Sequence, residues 1–198
     1  MGTRILNIAG GKIKPIELYV DVPYFLVNID RSYYSEITCS MCESYYETWR
    51  SKKENFFNNI YLNTDIQEFL ERTIMKFDYV TIYRYLEHVS MRDILYFIYL
   101  ISTVTEKDSV IEVIVPDYEA LAKMLIQESI HDDNYEANNI IITTEMLNEP
   151  QDPHASVWTV ARMRHYWELE GRFKTKDIEH SYEFDGRNIY IRALLERI

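Results

Sequence analysis

Five short apolar runs recur along the first 115 residues: "RILNIA" (4–9), "YFLVNI" (24–29), "NIYLN" (59–63), "FDYVTIY" (77–83) and "SVIEVIV" (109–115). They are rich in Ile, Val, Phe and Tyr and several are apolar almost throughout, whereas a strand with one wet face would alternate. Strands of that kind are covered on both faces, which calls for helices between them. "MRDILYFIYLISTV" (91–104) sets Ile94, Leu95, Ile98, Ile101 and Ser102 at helical spacing, and "DYEALAKMLIQE" (117–128) follows Pro116, which ends the preceding strand. The alternation predicts an α/β fold on a mostly parallel, doubly wound sheet.

The last third changes pattern. "SVWTVARMRHYWELEG" (156–171) predicts a helix ended by Gly171, the residue favoured just past a helix C-terminus. "RFKTKDIEHSYEF" and "NIYIRALLE" then flank "DGR" (185–187), a hairpin signal that predicts a closing antiparallel pair. No linker, repeat or low-complexity tract interrupts the 198 residues. The chain reads as one domain over 1–198, with an aromatic insertion at about 31–58 and an irregular polar segment at about 129–155.

Charge narrows the partners. A formal net charge of −11 repels phosphate backbones, and the basic groups (Lys12/Lys14, "RSKK" at 50–53, Arg162/Arg164/Arg172) are short and flanked by acids. Nucleic acid is therefore not an expected partner. The two cysteines, Cys39 and Cys42, have no second ligand pair, so no metal site is expected. No signal-peptide pattern precedes residue 4, and no apolar run approaches the ~20 residues that span a bilayer. The expectation is a soluble, cytoplasmic protein with no membrane part. Seventeen tyrosines suit wet clefts and partner surfaces. The tyrosine-rich stretch 31–58 is the surface expected to take a protein partner or a second copy of the chain.

In open α/β sheets ligands bind outside the carboxyl ends of the strands. Gly10 and Gly11 follow the first strand, and without Cβ atoms they let a backbone approach an anion closely. Asp30 follows the second strand, 20 residues beyond Gly10, the spacing at which a carboxylate meets the hydroxyls of a ribose. Asp65 follows the third and is placed to face an adenine amino group. The fourth runs into "RYLEH", bringing Arg84, Tyr85, Glu87 and His88 to the same rim. Each has a plainer reading: Asp30 and Asp65 as helix N-caps, His88 as a hydrogen-bonded core histidine. Neither G-x-G-x-x-G nor a Gly-Lys-Ser/Thr phosphate loop is present. The short loop suits a ligand with a ribose and a small carboxylate but no pyrophosphate, and S-adenosylmethionine is such a ligand.

The string "LNIAGGKIKP…YFLVNID" resembles the opening of class I S-adenosylmethionine-dependent methyltransferases, in particular a compact group whose first motif reads Leu-Asn-hydrophobic-Gly-Cys-Gly. "KFDYVTIYRYLEHV" (76–89), "IEVIVPDYEAL" (111–121), "HASVWT" (154–159) and "DGRNIYIRA" (185–193) resemble later segments of that group in order. The resemblance implies a Rossmann-like, seven-stranded, mostly parallel sheet with a C-terminal antiparallel hairpin. It also implies an S-adenosylmethionine site with Gly10 and Gly11 at the methionine moiety, Asp30 at the ribose and Asp65 by the adenine; Arg84, placed on the same rim by the end of the fourth strand, is a further cofactor-binding candidate. Two departures stand out. Ala9-Gly10-Gly11 replaces Gly-x-Gly, and "TEKDS" replaces a Lys-Pro-Gly-Gly turn before the fifth strand.

Methyl transfer needs aligned partners and sometimes a base. His88 is the first candidate base, because imidazole titrates near neutrality, and His154 is the second. Glu87 and Asp117 are weaker candidates, and Tyr85 would shape the acceptor pocket. No Asp/Asn-Pro-Pro-aromatic motif is present, and with the acidic charge this points to a small molecule, a sugar or a protein as acceptor. The competing expectation is an inactive methyltransferase-like fold used as a binding or assembly module.

Overall fold

Ile5, Leu6, Asn7 and Ile8 are consecutive in sequence and all buried, which a strand permits only when both of its faces are covered. They belong to β1 (Thr3–Ile8) in a computed structural model that describes residues 3–9, 24–29, 58–62, 65–128, 154–182 and 188–198. Gly10, Gly11, Asp30, the Cys39/Cys42 pair, "DGR" at 185–187 and most of 31–58 and 129–155 lie outside the described residues.

β1 pairs in parallel with β2 (Tyr24–Ile29) on one side and β4 (Phe77–Tyr83) on the other. β3 (Asn58–Leu62) extends the first flank and β5 (Thr105–Pro116) the second, both parallel. β6 (Phe173–Tyr182) and β7 (Asn188–Arg197) form an antiparallel pair, and β7 inserts antiparallel to β5. The order β3-β2-β1-β4-β5-β7-β6 makes a mixed sheet. The chain leaves β1 in one direction and returns to β4 on its other side. The strand order therefore reverses between β1 and β4, and the crevice beyond their carboxyl ends is where such sheets take ligands.

Four helices are described: α1 (Ile66–Arg72), α2 (Ile94–Thr103), α3 (Tyr118–Glu128) and α4 (Val160–Glu168). α2 packs between α1 and α4, and α3 rests on β7. Ile94, Phe97, Ile98, Leu100 and Ile101 of α2 join Leu70, Met163, Trp167 and the strand residues in one apolar core. No helix among the described residues is long and apolar enough to cross a membrane.

Three boundaries differ from the sequence reading. The run 109–115 is the end of a longer strand that starts at Thr105. Its register with β4 jumps between Phe77↔Thr105 and Tyr79↔Val110, so "TEKDS" is accommodated as an irregularity within β5. Asp108 takes a left-handed φ of 68° there. Ser109 Oγ accepts from Glu106 N and donates to Phe77 O, both at 3.0 Å. A serine hydroxyl thus closes the turn that glycine and proline build in the resembling group. α2 begins at Ile94, after a turn at 91–93. The C-terminal helix begins at Val160 instead of 156, because the preceding residues are held extended by tertiary hydrogen bonds described below. Thr159 caps it by accepting from Arg162 N, and Gly171, at φ 65°, follows its last turn.

Candidate functional site

Leu86, Glu87 and His88 form a single 3₁₀ turn just past β4. The turn is entered through Arg84, which holds a left-handed φ of 49° and donates its amide to Ile114 O on β5 at 2.8 Å. Non-glycine residues pay for that conformation, so the sharp exit from β4 is imposed by the surroundings. It puts the Glu87 side chain in the fully buried interior and leaves His88 half-buried.

The segment 154–158 is fastened across this turn. Glu87 O accepts from Ala155 N at 2.6 Å and Ser156 N at 2.9 Å. Ser156 Oγ donates to Leu86 O at 2.7 Å and accepts from Trp158 Nε1 at 2.9 Å. On its other side Trp158 O accepts from Tyr118 N at 3.1 Å, tying the segment to the start of α3. These bonds bring His154 against His88, with ring centroids 5.0 Å apart and the planes nearly perpendicular. The Tyr118 hydroxyl oxygen lies 2.5 Å from His154 Nδ1. The ligand-capable atoms of Glu87, His88 and His154 all lie within 4.8 Å of one another.

Neighbouring groups frame the cluster. The Arg84 guanidinium sits over the Tyr190 ring at 5.5 Å, with Nε 3.9 Å from Glu87 Oε1. It therefore lies on the β5–β7 side of β4. Asp117 is fully buried. Its Oδ1 accepts from Glu119 N and Ala120 N at the start of α3, and its Oδ2 accepts from His180 Nδ1 at 2.5 Å. Deeper in the sheet, Glu112 accepts from Tyr79 at 2.6 Å and from Arg192 at 2.5 Å. The Arg192 guanidinium stays protonated more firmly than usual. Burial opposes its charge, but the hydrogen bonds and charges of Glu112 and Glu179 outweigh that.

On the other side of β4, Ala9 N donates to Ile29 O at 2.8 Å, so the carboxyl ends of β1 and β2 are bonded together one residue before Gly10 and Asp30 in the sequence. Ala9 has φ 55°, a left-handed position that suits glycine better. Asp65 caps α1 by accepting from Glu68 N at 3.0 Å. The N-cap reading of this residue is thus observed, and its exposed carboxylate is near enough to Tyr85 to act on it. Burial first, then the Asp65 charge, push the Tyr85 phenol up to about 12.

Of the residues singled out from sequence, His88 and His154 are brought together with Glu87. Asp65 caps α1 through Glu68 N, its charge acting on Tyr85, and Arg84 stands by Glu87 and Tyr190. Tyr118 and His180 had no signal in the sequence beyond their neighbours, since each acts through a contact set by the fold.

No protein-family model matches the chain, and no curated protein sequence does. Solved structures do match. An S-adenosylmethionine-dependent methyltransferase from Methanosarcina mazei superposes with TM-score 0.59 at 14% identity, covering 98% of this chain and 92% of that one. One from Clostridium acetobutylicum gives TM-score 0.62 at 12% identity, covering 98% and 84%. Magnesium protoporphyrin IX methyltransferase from Synechocystis, solved with bound SAH, gives 0.59 at 12% identity, covering 100% and 74%. The chain has the α/β, Rossmann-like fold of class I S-adenosylmethionine-dependent methyltransferases.

Proposed function

We propose that this chain is an S-adenosylmethionine-dependent methyltransferase whose acceptor is met by the Glu87–His88–His154 cluster. The observation that carries the reading is a convergence at one edge of the sheet. The bonded ends of β1 and β2 stand beside the β1/β4 switch point, and Asp65 caps the helix that follows β3. The histidine pair follows directly from β4 on the same edge. The cofactor would be held by Gly10, Gly11 and Asp30, which come next in sequence after the Ala9–Ile29 bond, with the exposed Asp65 at the start of α1 as a further carboxylate. Arg84 belongs to the acceptor side, because its guanidinium faces Glu87 and Tyr190.

When bound, S-adenosylmethionine supplies a methyl group made electrophilic by its sulfonium. The chain's residues align the acceptor and take its proton. Tyr118 Oη lies 2.5 Å from His154 Nδ1, and in the tautomer whose Nδ1–H donates to it, Nε2 would be the nitrogen that takes the acceptor's proton. The buried Glu87 carboxylate then stabilises the imidazolium that forms. The fastening of 154–158 fixes the distance between the two rings, so little ordering remains when the acceptor arrives.

Calorimetric titration with S-adenosylmethionine and its demethylated product tests the cofactor. Micromolar binding that disappears in Asp30→Ala is expected, and no binding up to millimolar ligand overturns the reading. His154→Ala should reduce turnover by about 10²- to 10⁴-fold with cofactor binding intact. One observation favours the second reading, a binding or assembly module: Ala9 occupies a left-handed turn where the resembling group carries glycine, so a Cβ stands at the point of close approach. That reading requires the fold to persist without cofactor binding, which the same titration decides.

A further inference from the structure

Two imidazoles and a buried carboxylate meeting at one point are more than a proton acceptor needs. We infer that Glu87, His88 and His154 form a binding site for a first-row divalent metal ion of the zinc type. Three side chains from two separate segments, 66 and 67 residues apart in sequence, present ligand atoms within 4.8 Å of one another. Zinc bonds to imidazole nitrogen and carboxylate oxygen measure about 2.0–2.2 Å, so two ligands of one tetrahedral ion stand about 3.4 Å apart. Ligand atoms within 4.8 Å of one another must close by up to about 1.4 Å, which side-chain rotations of the two half-buried histidines accomplish.

The surroundings agree with this chemistry. Glu87 is fully buried and both of its carboxylate oxygens are shielded from solvent, so an ion would meet it in a low-dielectric setting where attraction is strong. His154 is oriented from behind: its Nδ1 faces the Tyr118 hydroxyl, which leaves Nε2 as the ligand nitrogen. A metal-bound histidine characteristically has its other nitrogen held in this way. Among the described residues Arg84 is the competing cation: its Nε makes a long ion pair with Glu87 at 3.9 Å while its guanidinium sits over Tyr190, and a bound ion would displace that long pairing. Two nitrogens and one oxygen suit zinc, cobalt or manganese better than magnesium or calcium, which prefer all-oxygen shells. Three protein ligands also leave a coordination position open, the pattern of catalytic sites and not of structural ones.

An open position beside the cofactor crevice would take an oxygen of the acceptor, so a substrate with a hydroxyl or carboxylate oxygen is the class this site fits. That clause rests on the methyl-transfer reading, with the ion, which would occupy His154 Nε2, acidifying the acceptor oxygen in place of the His154 base, whereas binding of the ion rests on neither.

The test is zinc titration of the chelator-treated protein against a chromophoric competitor. It is made in a Cys39→Ser/Cys42→Ser background, because thiols would bind zinc themselves. One ion per chain is expected. His88→Ala and His154→Ala should each weaken binding by about a hundredfold or more, and Tyr118→Phe by roughly ten- to a hundredfold as an outer partner. His165→Ala and His180→Ala should leave it unchanged, and magnesium at equal concentration should not compete. Manganese, read by electron paramagnetic resonance, should occupy the same site. Absence of stoichiometric zinc binding, or binding that follows His165 or His180 instead, overturns the inference. Both histidines are only half-buried, so their alanine variants should keep the native circular dichroism. Glu87→Gln gives a second, nearly isosteric variant. Titration of the same samples with the demethylated cofactor separates the two readings: its binding without zinc binding defeats only the metal site, and the reverse defeats only methyl transfer.

Discussion

Ser156 Oγ donates to the carbonyl of Leu86 across 70 residues of chain, and the same oxygen accepts the indole N–H of Trp158. One hydroxyl therefore satisfies two buried polar groups and holds the His154 segment on the turn that carries His88. Ser156→Ala should cost about 1–3 kcal/mol, because both groups are left buried without that partner. Denaturant unfolding reads the loss. Ser156→Thr, which keeps the hydroxyl, should lose less unless the added methyl clashes.

The Arg192 guanidinium bridges Glu112 inside the sheet and Glu179 on β6. Arg192→Met leaves the Glu112 carboxylate, 7% exposed, with its cation removed. A loss of about 2–4 kcal/mol is expected, somewhat below that of a fully buried pair because Arg192 is itself partly exposed. The double variant Arg192→Met/Glu112→Gln should recover part of it. Equal losses in the single and double variants would show that the stranded Glu112 charge is not the source of the loss.

Asp78 and Arg4 join the ends of β4 and β1 at the edge opposite the site. Burial raises the Asp78 pKa, but hydrogen bonds and charge from Arg4 outweigh it and hold the carboxyl below the usual range. A carboxyl depressed in the folded state contributes stability that is present above its unfolded pKa and is lost as pH falls through the folded one. Wild type should therefore lose this term progressively below about pH 4, and Asp78→Asn should remove the dependence. The side chains are 40% and 47% exposed, so solvent screening limits the effect to at most about 1 kcal/mol. Melting temperature measured against pH for the two proteins checks it.

Asp117 accepts two backbone N–H groups at the start of α3 and a third bond from His180. Asp117→Ala should cost about 1–3 kcal/mol through the lost cap and the unsatisfied buried donors. Asp117→Asn retains a capping oxygen and should lose less. Hydrogen exchange of the Glu119 and Ala120 amides distinguishes a local loss at α3 from a global one.

Ala9 holds φ 55° at the end of β1. A left-handed alanine costs about 1–2 kcal/mol, and glycine's extra backbone freedom returns about half of that. Ala9→Gly should raise stability by about 0.5 kcal/mol, seen as a small increase in melting temperature. A decrease would mean that the packing of the Ala9 methyl against the core is worth more than the relief.

The strands were legible because each is a continuous apolar run, and burial on both faces leaves that mark in any chain. Asp65 was legible as a cap for the same local reason, since a side chain that bonds an amide three residues on needs nothing distant. The helix expected from 156 was misread at its start. "SVW" carries helix-compatible spacing, yet the Ser156 and Trp158 bonds to Leu86 and Tyr118 hold it extended, and tertiary hydrogen bonds override a weak propensity. The "TEKDS" departure was visible, but its repair by Ser109 and Asp108 was not.

By itself the order of residues determined the elements, the faces they must bury, the histidines and carboxylates near strand ends, and the acidic net charge. Each of these depends on neighbours a few positions away. The tertiary structure alone decided that β4 lies beside β1 and that a segment 66 residues further on closes over the β4 exit. It also decided that His88, His154, Glu87 and Tyr118 meet. The physical reason is that many pairings bury the same apolar faces about equally well in sequence terms. The one adopted is selected by the whole set of packed side chains and satisfied buried polar groups at once.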